Sequence, residues 1–139
     1  MDAKRFLAGT IVGGIVLFFV GNLIFITLAG GFYAANAGTA TGVDRAEPLM
    51  WAVVLGNVAY AALICYAMGT RNASGPVEGA KVGAIVGLLM WVAVDFIFYG
   101  LMNLSNLTRT IVDPLLEIVH AGIGGAVIGL LAAKMKPAS

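Results

Sequence analysis

Four apolar segments, each long enough to cross a bilayer, constrain what this chain of 139 residues can become. A spanning helix needs about 20 mostly apolar residues. The stretches at roughly 6–28, 49–68, 80–102 and 111–133 meet that need. Hydrocarbon offers no partner to an unpaired backbone N–H or C=O, so every span must be a helix. The expected fold is all-α: a polytopic membrane protein, one four-transmembrane-helix bundle over residues 1–139. With 60% hydrophobic and only 11% charged residues, the composition is far from a soluble domain, where charged residues make up about a quarter.

The same numbers exclude several function classes. A net charge of +1 leaves no basic patch for nucleic acid. The lone Cys65 can form neither an intrachain disulfide nor a cysteine metal cluster, and reads as a small buried hydrophobe. Lys4 and Arg5 ahead of the run from Phe6 to Leu28 imitate a signal peptide, but the run is too long for one and reads as the first span.

The longest connection, GGFYAANAGTATGVDRAEP, joins spans 1 and 2 and is expected to hold a short interfacial turn around Phe32 and Tyr33. Pro48 and Pro114 are expected in the first turns of spans 2 and 4, where a missing N–H costs nothing. Lys4, Arg5, Arg71, Lys81, Lys134 and Lys136 fall on one side of the spans, against Arg45 and Arg109 on the other. By the positive-inside rule both termini are cytoplasmic.

GTIVGGIV at 9–16 resembles GAIVGLLM at 83–90, and EPLMWAVVLG at 47–56 resembles DPLLEIVHAG at 113–122. Either glycine-rich spans match by chance, or two like hairpins pack in parallel about an axis along the membrane normal. Small residues recur every four positions at Gly9 and Gly13, at Gly79, Gly83 and Gly87, and at Ala121, Gly125 and Gly129. Such stripes let helices approach closely in lipid. Two uses are open: packing within the chain, or a homo-oligomer formed through the glycine faces. Asn22 lies half a turn away from the Gly9 and Gly13 face.

The candidate site rests on polar residues inside the spans. A carboxylate near the middle of a spanning helix costs roughly 2.5–3.5 kcal/mol on insertion scales and normally faces a bundle interior or wet cavity. At 1.5 Å rise per residue, Asn22 lies roughly 6 Å below the outer surface, Asp95 and Glu117 roughly 8 Å, and Asn57 and His120 roughly 12 Å. Four helices thus bring polar groups to one level. Glu117 and His120, three apart, share a face of span 4. Trp91 and Tyr99 share the face of Asp95, and Tyr60 that of Asn57. The expectation is an outward-facing pocket for a small polar ligand or a proton, formed by Asp95, Glu117, His120, Asn22, Asn57, Trp91 and Tyr99. Asn103, Asn106, Arg109 and Asp113 would line its mouth.

Three readings of function follow. Asp95, Glu117 and His120 form a proton- or ion-linked cluster for binding or transporting a small solute, since chains of Asp, Glu and His serve as proton relays. Alternatively the protein is a structural or assembly subunit of a membrane complex, its polar residues only setting helix register. In the third, Glu117 and His120 bind a metal or tetrapyrrole; yet di-iron bundles need two Glu-x-x-His pairs, and one is present. The start of that spacing also looks like a light-harvesting Glu-x-x-His-x-Arg motif, with Gly122 in place of the Arg. No catalytic residue, resident cofactor or dedicated metal site is expected; the expected partners are the lipid bilayer, further copies of the chain through the glycine faces, and a small polar ligand or proton.

The GTIVGGIVLF start, Asp95 and the IVDP segment resemble small, uncharacterised bacterial four-helix membrane proteins. The resemblance implies a bacterial inner (cytoplasmic) membrane location and carries no activity or site residue with it.

Overall fold

The computed structural model describes residues 1–135; Lys136, counted in the charge balance, lies outside the described residues. Its elements are α1 (Ala3–Gly21), a π-helical continuation of α1 (Asn22–Leu28), α2 (Gly30–Ala35), α3 (Met50–Thr70), α4 (Pro76–Leu101) and α5 (Leu107–Lys134). Among the described residues there is no strand, only an isolated antiparallel bridge between Ala37 and Ser105. The chain from Ala3 to Leu28 and helices α3, α4 and α5 are each long and apolar enough to cross a membrane. The short turn expected around Phe32 and Tyr33 is α2.

Two boundaries differ from expectation for local reasons. The Asn106 side chain accepts the Arg109 N–H at 2.9 Å, so α5 starts at Leu107. Pro114 therefore lies inside α5 rather than in its first turn, and denies Thr110 the N–H that its carbonyl would otherwise receive. Pro48 also falls outside a first turn, since Leu49 is the N-cap of α3. At the start of α4, Gly75 has φ 95°, a conformation open mainly to glycine, and Pro76 follows as first helical residue.

What distinguishes inside from outside along these helices is size rather than polarity. On α1, Leu7, Ile11, Ile15 and Phe19 are exposed, while Gly9, Gly13 and Leu17 are buried. Both faces are apolar, as lipid and core are equally apolar surroundings. The glycine stripes decide the packing. A Cβ on Gly79 or Gly83 would run into the carbonyl oxygen of Gly125 or Ala121 on α5, and a Cβ on Gly13 would lie 2.6 Å from Ile128. Backbones of α4 and α5 come close enough for Gly75 N–H to donate to Gly129 O at 2.9 Å. The stripes through which a homo-oligomer was an open expectation are thus filled inside the chain.

By connectivity α1 and α3 form one hairpin and α4 and α5 a second running the same way. The halves are unequal: α4 and α5 pack far more intimately than α1 and α3, and α1 meets α5 over more of its length than α3 meets α4. Leu17, Tyr60, Ala61, Ile64, Cys65, Met68, Val82, Ala121 and Ile128 form the core. Only the second half of α3 takes part. From Met50 to Gly56 that helix is exposed on all sides, so its first half stands away from α4 and α5. The gap this leaves holds the candidate site.

Over the gap, residues 36–40 clamp the turn between α4 and α5. Gly38 N–H and Ala40 N–H donate to Leu104 O and Asn103 O at 3.0 Å each, and Asn106 N–H donates to Asn36 O at 3.1 Å. Asn106 Nδ2 adds a 2.9 Å bond to Asn36 Oδ1.

Candidate functional site

A cavity of about 1300 Å³ lies between the π-helical segment, the first half of α3, and helices α4 and α5. Segments of π-helix widen the coil and recur at functional sites. Here the segment contributes Asn22, Phe25 and Ile26 to the wall.

Two sets of polar side chains face the cavity. The deeper one is centred on Glu117 and His120 of α5, whose residues are only 3% and 4% exposed. Three-residue spacing on a helix brings them together, and His120 Nδ1 lies 2.9 Å from Glu117 Oε2. Tyr60 of α3 donates its hydroxyl to the same oxygen at 3.1 Å. His120 Nε2 reaches across to the Leu17 carbonyl of α1 at 2.9 Å. A carbonyl only accepts, so Nε2 carries a hydrogen. Nδ1 and Oε2 then need one proton between them, as imidazole with carboxylic acid or as imidazolium with carboxylate. Phe25 and Tyr60 meet the imidazole edge to face, with centroids 5.3 and 6.0 Å away.

The shallower set is centred on Asp95 of α4, whose carboxyl lies beside that of Asp113 on α5. Tyr33 of α2 donates its hydroxyl to Asp113 Oδ1, and the Arg109 guanidinium covers the Tyr33 ring at 4.5 Å. Burial, reinforced by the facing Asp113 carboxyl, pushes the Tyr33 phenol well above its ordinary range, so it stays a hydrogen-bond donor. One oxygen of Asp95, Oδ2, is buried without a hydrogen-bond partner. Trp91, one turn earlier on α4, holds its indole N–H near the Tyr60 hydroxyl without closing a hydrogen bond.

Asp95, Glu117, His120, Asn22, Asn57 and Trp91 all line this one cavity, whereas Tyr99 does not and is exposed. A residue four further along a helix falls about 40° round it, and at Tyr99 that turn leads away from the cavity. Asn57 is partly satisfied within its own helix, donating Nδ2–H to Val53 O at 2.9 Å. Asp113 and Arg109, expected only at the mouth, belong to the polar cluster itself.

Sequence reasoning missed the Leu17 carbonyl, Tyr33 as partner of Asp113, and Gly21. A Cβ on Gly21 would sit 3.0 Å from His120 Nε2, so the glycine admits the imidazole to the α1 backbone. One signal was present: Gly9, Gly13, Leu17 and Gly21 continue a single face at spacing four. No family model, curated protein or solved structure matches this chain.

Proposed function

We propose that the protein binds a small polar solute in this cavity, within the membrane, and links binding or passage of the solute to protons on the Asp95, Glu117 and His120 cluster. The observation that carries the reading is the Glu117 and His120 pair, where a single proton lies between two atoms 2.9 Å apart at the wall of a cavity large enough for a solute. Shifting that proton between the two atoms leaves the net charge of the pair unchanged, so any charge it creates is paired at once with its opposite rather than left alone in the interior.

Charge balance in the loops supports cytoplasmic termini and an outward-facing cavity, and a bacterial inner membrane is proposed from the likeness of the GTIVGGIVLF and IVDP segments to small bacterial membrane proteins. The tetrapyrrole alternative draws less support, because both ring nitrogens of His120 already have partners. A purely structural subunit has no need of a cavity this large with ionisable side chains in its wall.

The test is uptake of amines, amino acids and carboxylates into proteoliposomes under an imposed pH gradient. Gradient-dependent uptake of at least one solute, abolished by both Asp95→Asn and His120→Ala, supports the proposal. Flux unaltered in both variants removes it.

A further inference from the structure

Four acids line the cavity, Asp44, Asp95, Asp113 and Glu117, against Arg109 and His120. His120 pairs with Glu117, and the Arg109 guanidinium rests on the Tyr33 ring, where its charge still reaches Asp95. Among the described residues no Lys or Arg forms an ion pair with any of the four acids. Asp95 and Asp113 lie side by side, Asp113 Oδ1 is taken by Tyr33, and Asp95 Oδ2 is buried without a partner. Adjacent carboxylates repel unless positive charge sits with them; Arg109 offsets part of that repulsion from a distance, and a proton or a bound cation between the two would offset the rest.

We infer that the cavity takes a protonated amine with an apolar body, its ammonium group held between Asp95 and Asp113. This rests on the reading of the cavity as a solute site and names the class of solute. An ammonium N–H gives Asp95 Oδ2 the donor it lacks. Trp91, one turn away on α4, also lines the cavity, where an aromatic ring favours a cation, and Phe25 and Phe98 offer the body an apolar wall. At about 1300 Å³ the cavity exceeds the roughly 300–1,000 Å³ of ordinary ligand pockets, leaving room for that body. An anion would meet four acids against the single cation of Arg109, and a neutral solute would bring no charge to the carboxyl pair.

Amine and proton then compete for the same pair. The groups facing Asp95 are Asp113, Glu117 and Arg109 of α5, with Tyr33 of α2, Tyr60 of α3, His120 of α5 and loop residue Asp44 on the same cavity. Binding a protonated amine displaces one proton from this set.

The experiment is calorimetric titration of the full chain in lipid nanodiscs, corrected with empty nanodiscs, using three probes of like shape: 2-phenylethylamine, 2-phenylethanol and 3-phenylpropionate. The amine is expected to bind at least about tenfold more tightly than the other two, and to lose about tenfold in Asp95→Asn, as a charge-assisted contact implies. Repeating the titration in buffers of different ionisation heat should show about one proton released per amine near neutral pH. Asp113→Asn is expected to show the same loss and serves if Asp95→Asn does not fold. Tighter binding of the alcohol or the carboxylate overturns the amine class while leaving a solute site in place. An amine affinity unchanged in both variants also overturns it. Binding of none of the three overturns the inference and the solute-site reading together.

Discussion

The His120 Nε2–H on α5 donates to the Leu17 carbonyl on α1 at 2.9 Å, across 103 residues of sequence. This bond joins the second hairpin to the first at the floor of the cavity, and Gly21 makes the approach possible. A side chain at position 21 and loss of the imidazole should therefore act on the same contact. Gly21→Leu and His120→Ala are each expected to lower stability by about 1–3 kcal/mol. In the double variant the losses should fall short of their sum, since one interaction is being removed twice. Unfolding in mild detergent reads this, and strictly additive losses would refute the shared contact.

Close approach of α4 and α5 predicts unequal tolerance among glycines. At Gly83 a Cβ collides with the Ala121 backbone, which cannot rotate away, whereas at Gly56 it meets nothing within 4 Å. Gly83→Ala should cost about 1–3 kcal/mol through separation of the helices. Gly56→Ala should be neutral or stabilise by up to about 1 kcal/mol through helix propensity. Equal melting temperatures for the two variants would contradict the packing.

Asn106 caps α5 and ties the long loop to it through Asn36. Asn106→Ala should cost about 0.5–2 kcal/mol as a lost N-cap. Hydrogen exchange at the Gly38 and Ala40 amides should speed up as the clamp loosens, because both bonds lie beside this anchor. Unchanged exchange there would mean that the clamp holds without Asn106.

Tyr33 carries a pH signature. Its phenol is held above the ordinary value of 10.0 by burial first and the Asp113 carboxyl second. A group whose pKa is raised on folding stabilises fully below its unfolded value, and that contribution declines as pH rises past it. Alkaline conditions above about pH 10 should thus destabilise the wild type more than Tyr33→Phe, which cannot ionise. Absorbance titration of wild type minus Tyr33→Phe should show no phenolate step near pH 10, and such a step would place Tyr33 in solvent.

Sequence alone determined the four spans, their helical state and the shared face of Glu117 and His120, because each follows from hydropathy or the period of a single helix. It also limited the polar groups to a common level, where Asp95, Asn22, Asn57 and Trp91 do meet one cavity. Tertiary structure decided the rest: the lean of α3 that opens the cavity, the placing of Asp113 beside Asp95, the Tyr33 and Leu17 partners, and the turning of Tyr99 away. The physical reason lies in the solvent. When lipid and core are equally apolar, hydropathy says nothing about how a helix is rotated or tilted against its neighbours, and that choice falls to backbone contacts at Gly79, Gly83 and Gly13 that no single helix displays.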